Sequence, residues 1–488
     1  MVLCLLERMI NNTHTLLKKH HLKQMITPNI NKKSITLCGI LFLCFSSLGQ
    51  LEKTSKINQL KSQQLIEEGE GLLETGRIND AYMVFKAAVE KAPNEWEAYF
   101  WVAMAEFEFN NFYAADESAQ KAELLISDKK SAKLDLLQGQ IKHRIGALNE
   151  AINYYSKAKE EFGEKNADYY GIPIYLAQCK FALDQKVKGI LNKFIPFSAN
   201  LNSTFDEYGA ILSSDGLHLF YTARTPESKG NNENVGDQQF FEDIVHYEWE
   251  AEKNEWILSA LAIEGINTEG FDALNYISKD GKYALGTINT AASKEKSTKS
   301  SDIFEVFSDE TFLFEKIDLI KNKAINTSYF DGAATITDTI FNDNGDFSQT
   351  LYFVSDRKAE ESMTDIYSIE IKNGVWMDMK NLLKTINTDG RETTPFITAN
   401  GKFLFFSSDA LPGMGGYDVY YSENINGVWG NPVNLGATFN SVNDDTHFQI
   451  YPQLKKAVIA RMNENEGLFN YDIFQIDLND LDFPFLSD

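Results

Sequence analysis

Five carboxylic acids recur at one place in a repeated pattern: Asp206, Asp272, Asp331, Glu392 and Asp445, with Glu207 as an alternative to Asp206. Each follows an apolar-Asn-Ser/Thr step: Leu201-Asn202-Ser203, Ile266-Asn267-Thr268, Ile325-Asn326-Thr327, Ile386-Asn387-Thr388 and Phe439-Asn440-Ser441. Carboxylates gathered round an axis could do three things. A pair or trio converging at a channel mouth could hydrolyse a glycosidic bond. A ring could raise its own pKa values or hold a cation such as Ca²⁺. Or each acid could bond backbone N–H groups where two structural units meet. Catalytic acids are individually placed, whereas these recur with the period of the repeat, which favours the third reading. No catalytic residue, cofactor or metal ligand is therefore assigned, and the acids stand as a possible axial ring.

Other chemistry is weaker. The seven histidines are scattered, and His143, His218, His246 and His447 form no metal-spaced pair. There is no Gly-x-Ser-x-Gly elbow. Asn342-Asp343-Asn344-Gly345-Asp346 lacks the ligand spacing of a calcium loop and reads as a polar hairpin turn. Gly413-Met414-Gly415-Gly416 has no basic residue or helix after it, so it reads as a loop and not a phosphate cradle.

The elements that must position the acids are strands. After Pro196 the chain alternates short apolar runs with Gly, Asn and Asp turns. The five asparagines are spaced by 65, 59, 61 and 53 residues. Asn and Ser/Thr side chains bond their own backbone, so this step reads as a turn. Ser214-Asp215-Gly216, Lys279-Asp280-Gly281 and Ala399-Asn400-Gly401 read as tight two-residue hairpins. Asp243-Ile244, Asp302-Ile303, Asp365-Ile366, Asp418-Val419 and Asp472-Ile473 open a further strand. Trp256, Trp376 and Trp429 each lie eleven residues before the next Asn and mark a fourth. Four strands per unit is the content of a propeller blade, and such a blade cannot bury both faces alone. The fifth unit lacks a Trp-type strand, while Ile190 to Phe197, with Leu191 eleven residues before Asn202, is an orphan. A strand from about 189–198 is thus expected to complete the last blade and close the ring.

Residues 60–187 have a helical apolar period. Ala81, Phe85, Ala88 and Pro93 fit the second helix of a tetratricopeptide repeat (TPR), and Ala81, Ala115 and Ala151 are spaced by 34 and 36. Gly69, Ala103 and Gly139 lie twelve residues before these alanines, where the first helix needs a small residue. This resembles the TPR family over about a hundred residues, with Tyr169 to Leu191 as a capping helix or half-repeat. The expected fold is multidomain: residues 50–187 an all-α TPR-like repeat domain, and 188–488 an all-β five-bladed propeller closed by an N-terminal strand.

Lys32-Lys33, the apolar run Ile35 to Phe45 and Ser47-Leu48-Gly49 form a secretory signal pattern, so residues 1–49 read as a signal peptide, with 1–24 as upstream extension before Met25. A lipid anchor through Cys44 or Cys38 is less favoured, because bulky residues precede both. Cleavage removes six basic residues and one acid and lowers the net charge from −24 to about −29. Such acidity argues against nucleic acid as a partner, since counterion release needs clustered Lys and Arg. Cys179 alone survives cleavage and reads as a small buried residue.

The repeat, best seen in Glu392-Thr393-Thr394-Pro395-Phe396-Ile397 and Gly415-Gly416-Tyr417-Asp418-Val419-Tyr420-Tyr421, resembles the WD40-like/TolB-like (PD40-type) propellers of secreted bacterial proteins. A signal, TPR helices and such a propeller resemble Bacteroidetes envelope proteins of the OmpA-associated type. The chain ends at Asp488 without the OmpA-like domain usual there. The resemblance implies a non-enzymatic interaction or scaffold protein of the periplasm or outer membrane, without a transmembrane domain of its own after cleavage. Its implied partners are envelope proteins, such as outer-membrane or secretion-complex components. The alternatives are a glycan-active propeller enzyme and a cation or ligand sensor.

Overall fold

The computed structural model describes residues 54–486 apart from 75, 128–129, 188–193, 199–200, 235–238, 260–262, 264, 293–299, 358–362, 466 and 480. The signal-like segment, Cys4, Cys38, Cys44 and Leu191 lie outside the described residues.

The helical period resolves into α1 (Lys56–Glu74), α2 (Ile78–Lys91), α3 (Trp96–Glu108), α4 (Phe112–Ile126), α5 (Ala132–Arg144), α6 (Leu148–Tyr169) and α7 (Ile172–Val187). Consecutive helices pair because their small residues let them approach. A Cβ on Gly69 of α1 would sit 2.3 Å from Cε1 of Phe85 on α2, and one on Gly139 of α5 would sit 2.5 Å from Cδ1 of Tyr155 on α6. Ala81, Ala115 and Ala151 are fully buried at equivalent places. These are three TPR-like helix pairs, with α7 as the cap. Among the described residues, no helix is long and apolar enough to cross a membrane.

Strand β1 (Phe194–Pro196) follows. Four antiparallel sheets come next in chain order. Blade 1 holds β2 (Glu207–Leu212), β3 (His218–Ala223), β4 (Asp243–Glu250) and β5 (Glu255–Leu258). Blade 2 holds β6 (Phe271–Ile277), β7 (Tyr283–Asn289), β8 (Asp302–Phe307) and β9 (Asp318–Leu319). Blade 3 holds β10 (Asp331–Ile336), β11 (Ile340–Phe341), β12 (Phe347–Ser355), β13 (Asp365–Lys372) and β14 (Val375–Asn381), and a turn of helix, α8 (Leu383–Ile386), leads on. Blade 4 holds β15 (Glu392–Ile397), β16 (Phe403–Ser408), β17 (Asp418–Ile425), β18 (Val428–Trp429) and β19 (Val433–Asn434). Blade 5 joins β20 (Asp445–Tyr451), β21 (Lys456–Asn465) and β22 (Leu468–Asp477) to β1, with Phe194 opposite Ile476 and Pro196 opposite Phe474. The fold is thus a five-bladed propeller behind helical repeats, closed by its N-terminal strand.

Two kinds of tie stand out between neighbouring blades. Apolar side chains of neighbours interlock, as where Ile211, Phe220 and Ile244 of blade 1 meet Leu274, Phe304 and Phe314 of blade 2. The repeated asparagines supply the second tie, and here the structure corrects the reading of them as local turn formers. Each carboxamide reaches the previous blade and bonds one strand residue in both directions. Asn267 accepts from Ile244 N and donates to its O, both at 2.9 Å. Asn326 does the same to Ile303, Asn387 to Ile366 and Asn440 to Val419. The hairpins also differ from expectation. Only the glycine takes positive φ, +74° at Gly216, +69° at Gly281 and +72° at Gly401. The loops are longer than two residues: Ser213 N bonds His218 O, while Asp215 caps Leu217 N from inside. The Asp and Asn side chains at these turns are therefore internal acceptors.

Candidate functional site: an inter-domain cleft

The repeated acids stand at or next to the start of each innermost strand. Four equivalent acids are Asp272, Asp331, Glu392 and Asp445, all fully buried. The fifth is Glu207 and not Asp206. Ser203 donates to Glu207 from its N at 3.0 Å and from its Oγ, as Thr268 does to Asp272. Thr327, Thr388 and Ser441 repeat this with Asp331, Glu392 and Asp445. A constant four-residue Ser/Thr-to-acid spacing was the signal that selects Glu207. Asp206 instead accepts from Tyr471 N at 3.0 Å, tying blade 1 to blade 5.

Each acid is thus engaged in its own turn. Arg461 Nε also donates to Asp445 at 2.5 Å, an Arg357 guanidinium to Asp331, and Ser408 to Glu392 at 2.9 Å. Asp272 lies opposite Ile288, and its Oδ1 is buried without a partner. Burial pushes Glu207, Asp272 and Glu392 up to about 7, although their Ser/Thr partners pull the other way.

Along each innermost strand a bulge follows the acid. Gly209, Ala333, Thr394 and His447 sit there with positive φ and, with Asn275, Pro395 and Gln449, help line an axial cavity of about 20 Å³, room for one water. Gln449 Nε2 reaches Asn275 O at 3.4 Å, from blade 5 to blade 2. The repeated acids do not line this cavity.

The larger cavity, about 660 Å³, lies between helices and propeller. The glycine loop explains how it is built. A Cβ on Gly416 would sit 1.7 Å from Asp444 Oδ1 and 2.6 Å from Arg144 Nη1, and one on Gly415 would sit 2.1 Å from Val442 O. Only glycines let this loop meet the end of α5. There Arg144 Nη1 pairs with Asp444 Oδ1 at 2.8 Å, and His143 Nε2 meets Met414 O at 2.8 Å. Burial pushes the Asp444 carboxyl up, but Arg144, Tyr417 N–H and the Tyr471 hydroxyl outweigh it and hold the group below its ordinary value. Burial pushes His143 down to about 4, so it docks as a neutral ring. Met414, Ala437 and Val442 join the core of α5–α7. The long β21–β22 hairpin grips the other side: Phe469 packs on Phe112 at 4.8 Å, and its N bonds Asn110 O.

The cleft wall carries Phe107, Tyr169, Ile174 and Tyr175 from the helices and Arg391 and Tyr417 from blade 4. Its two arginines have acidic partners within the fold: Arg144 with Asp444, and Arg391 Nε with Asp409 Oδ2 at 3.7 Å. Glu108, Asp168 and Asp389 add negative charge. The sequence reading missed this site because its residues come from segments some 300 positions apart. Cys179 is fully buried, and burial pushes its thiol up to about 12, so it is no nucleophile.

The histidines also need correction. Read as unpaired, His218 and His246 are brought together, with Nδ1 of one 3.1 Å from Nε2 of the other. Their meeting follows from the β3–β4 register, which linear spacing does not display.

No family model matches the chain, and no curated protein matches it. Among solved structures it is similar to the first TPR of Spaghetti (RPAP3) bound to an HSP90 peptide, at 20% identity over 26% of this chain and 95% of that one, TM-score 0.23. It is also similar to the Arabidopsis OM64 TPR domain, at 24% identity over 23% of this chain and 93% of that one, TM-score 0.22. A third is the Yersinia enterocolitica type III secretion chaperone SycD in complex with a YopD peptide, at 17% identity over 26% and 97%, TM-score 0.24.

Proposed function

We propose that the chain is a non-enzymatic interaction scaffold of the bacterial cell envelope, exported by its signal-like segment. Its partners are proteins of the periplasmic or outer-membrane side, including secretion-complex components. The observation that carries this reading is the cleft. Two repeat domains are fixed against each other and leave between them a concave space of about 660 Å³, within the size of ordinary ligand sites. Aromatic walls and acids whose charge exceeds that of the paired arginines suit a segment presenting Lys or Arg and an apolar side chain. The engagement of each repeated acid in its own turn supports a structural and not a catalytic role for them. The envelope location rests on the signal pattern and on the resemblance to secreted propeller proteins.

A photoreactive side chain at Ile174, 46% exposed on the cleft wall, tests this. In envelope fractions it should give discrete protein adducts that a control at the exposed Leu124 of α4 does not give. Equal, diffuse labelling from both positions would overturn the reading. So would a glycan hydrolysis that disappears in Asp272→Ala while folding is kept.

A further inference from the structure

Three residues of blade 1, remote from the cleft, meet on one face of its sheet. His218 opens β3 directly opposite Glu248 of β4, and His246 precedes Glu248 by two. Strand side chains alternate between faces, so His246 and Glu248 share a face, and a cross-strand partner shares it with them. One donor atom from each of the three lies within 4.8 Å of the others, and this is the one such trio among the described residues.

The two facing ring nitrogens are 3.1 Å apart. Two tetrahedral Zn–N bonds of about 2.0–2.1 Å put their nitrogens about 3.3 Å apart. The pair is therefore spaced to share one ion with little movement. A hydrogen bond between two neutral imidazoles has the same spacing, and the test below separates the two.

The surroundings hold these groups in place. Phe220 stacks flat on His246, with centroids 4.0 Å apart and planes 5° apart. Phe312, from blade 2, covers His218 at 4.2 Å. Ser259 Oγ donates to the Glu248 carboxylate and orients it, the kind of outer partner that metal ligands use. His246 is buried, while His218 and Glu248 are half-buried and give an ion a way in.

We propose that His218, His246 and Glu248 form a Zn²⁺ site. Two imidazoles and one carboxylate are a borderline nitrogen–oxygen set, suited to Zn²⁺ and unlike the all-oxygen shells of Ca²⁺ or Mg²⁺. Three protein ligands leave a fourth position for water. The ion ties β3 to β4 next to blade 2 and stabilises the blade that follows the ring's closing strand.

The test uses the untagged full chain, stripped with a chelator and titrated with Zn²⁺ against a chromophoric competitor. His14, His20 and His21 can bind metal independently, so the comparison is with His218→Ala and Glu248→Gln. The wild type should take up one Zn²⁺ per chain more than His218→Ala. Glu248→Gln should weaken that binding tenfold or more. Zn²⁺ should raise the melting temperature of the wild type and not of His218→Ala. Equal uptake by wild type and His218→Ala, both folded by circular dichroism, would overturn the site. If His218→Ala does not fold, Glu248→Gln decides: unchanged affinity there overturns the site equally.

Discussion

The carboxamide of Asn202 bonds Ile473 in both directions, donating to its O at 3.1 Å and accepting from its N at 2.9 Å. The two residues are 271 positions apart, yet the contact repeats the one that each interior asparagine makes with the preceding blade. The first and last blades are thus joined by the same device as the others. The Asn landmark and the Asp-Ile/Val landmark of the repeat are the two sides of one contact.

Asn202→Ala removes both bonds and leaves two strand groups without partners. The expected cost is about 2–6 kcal/mol, from about 1–3 kcal/mol for each of the two groups left unsatisfied. Denaturant unfolding measures it. Amide exchange should accelerate first in β1 and β22, and uniform acceleration over all five blades would contradict a closure role.

Glu392 and Asp272 predict a pH dependence. Each has a folded pKa raised to about 7, above its unfolded value of about 4. Between those values the native state holds a proton that the unfolded state has released, so stability falls as pH rises. Asp272→Asn/Glu392→Gln removes this dependence. Relative to that variant, the wild type should gain stability as pH falls from 7.5 to 5, by up to about 1.4 kcal/mol per pH unit per group. His143 and His447, both pushed down to about 4 by burial, act oppositely below their unfolded value of about 6.5. They are unchanged in the variant, so the difference between the two melting curves isolates the acids.

Arg144→Ala should loosen the domains at a cost of roughly 1.5–3 kcal/mol, the range for hydrogen bonds to charged groups. Gly416→Ala should act in the same direction, since its Cβ would occupy the place of Asp444 Oδ1. Calorimetry should then resolve separate helical and propeller transitions, with a single transition expected for the wild type. Persistence of a single transition in both variants would show that the apolar contacts suffice for docking.

Calcium supplies a simple check on the acidic ring. Because each acid is held in its own turn, millimolar Ca²⁺ should leave the melting temperature unchanged. A saturable upward shift, lost in Glu392→Gln, would show that the acids can be drawn together.

The fold was legible where it repeats. Five asparagines and five Asp-Ile/Val steps counted the blades, and the missing strand of the last repeat located its replacement before the first. The alanines of α2, α4 and α6 marked the helix pairs because packing permits little else there. What escaped was contact across long separations. Met414 and Gly416 form a docking loop only because α5 ends against them, and nothing local in Gly413 to Gly416 says so. His218 and His246 meet through strand register. Glu207 was ambiguous only until the Ser/Thr spacing was applied strictly.

The pairing of β1 with β22 sets an order of events during synthesis. β1 leaves the ribosome directly after the helical repeats, but its partner follows some 275 residues later. At about 5–20 residues per second, that strand waits roughly 15–55 seconds with no strand partner. The helices can pair as they emerge, since their contacts are local, whereas the ring cannot shut until nearly the whole chain exists. A chain stopped short of Leu468 would therefore carry folded helices beside an open ring, distinguished from the finished protein by β1 without a partner and by the uncovered edge of β21.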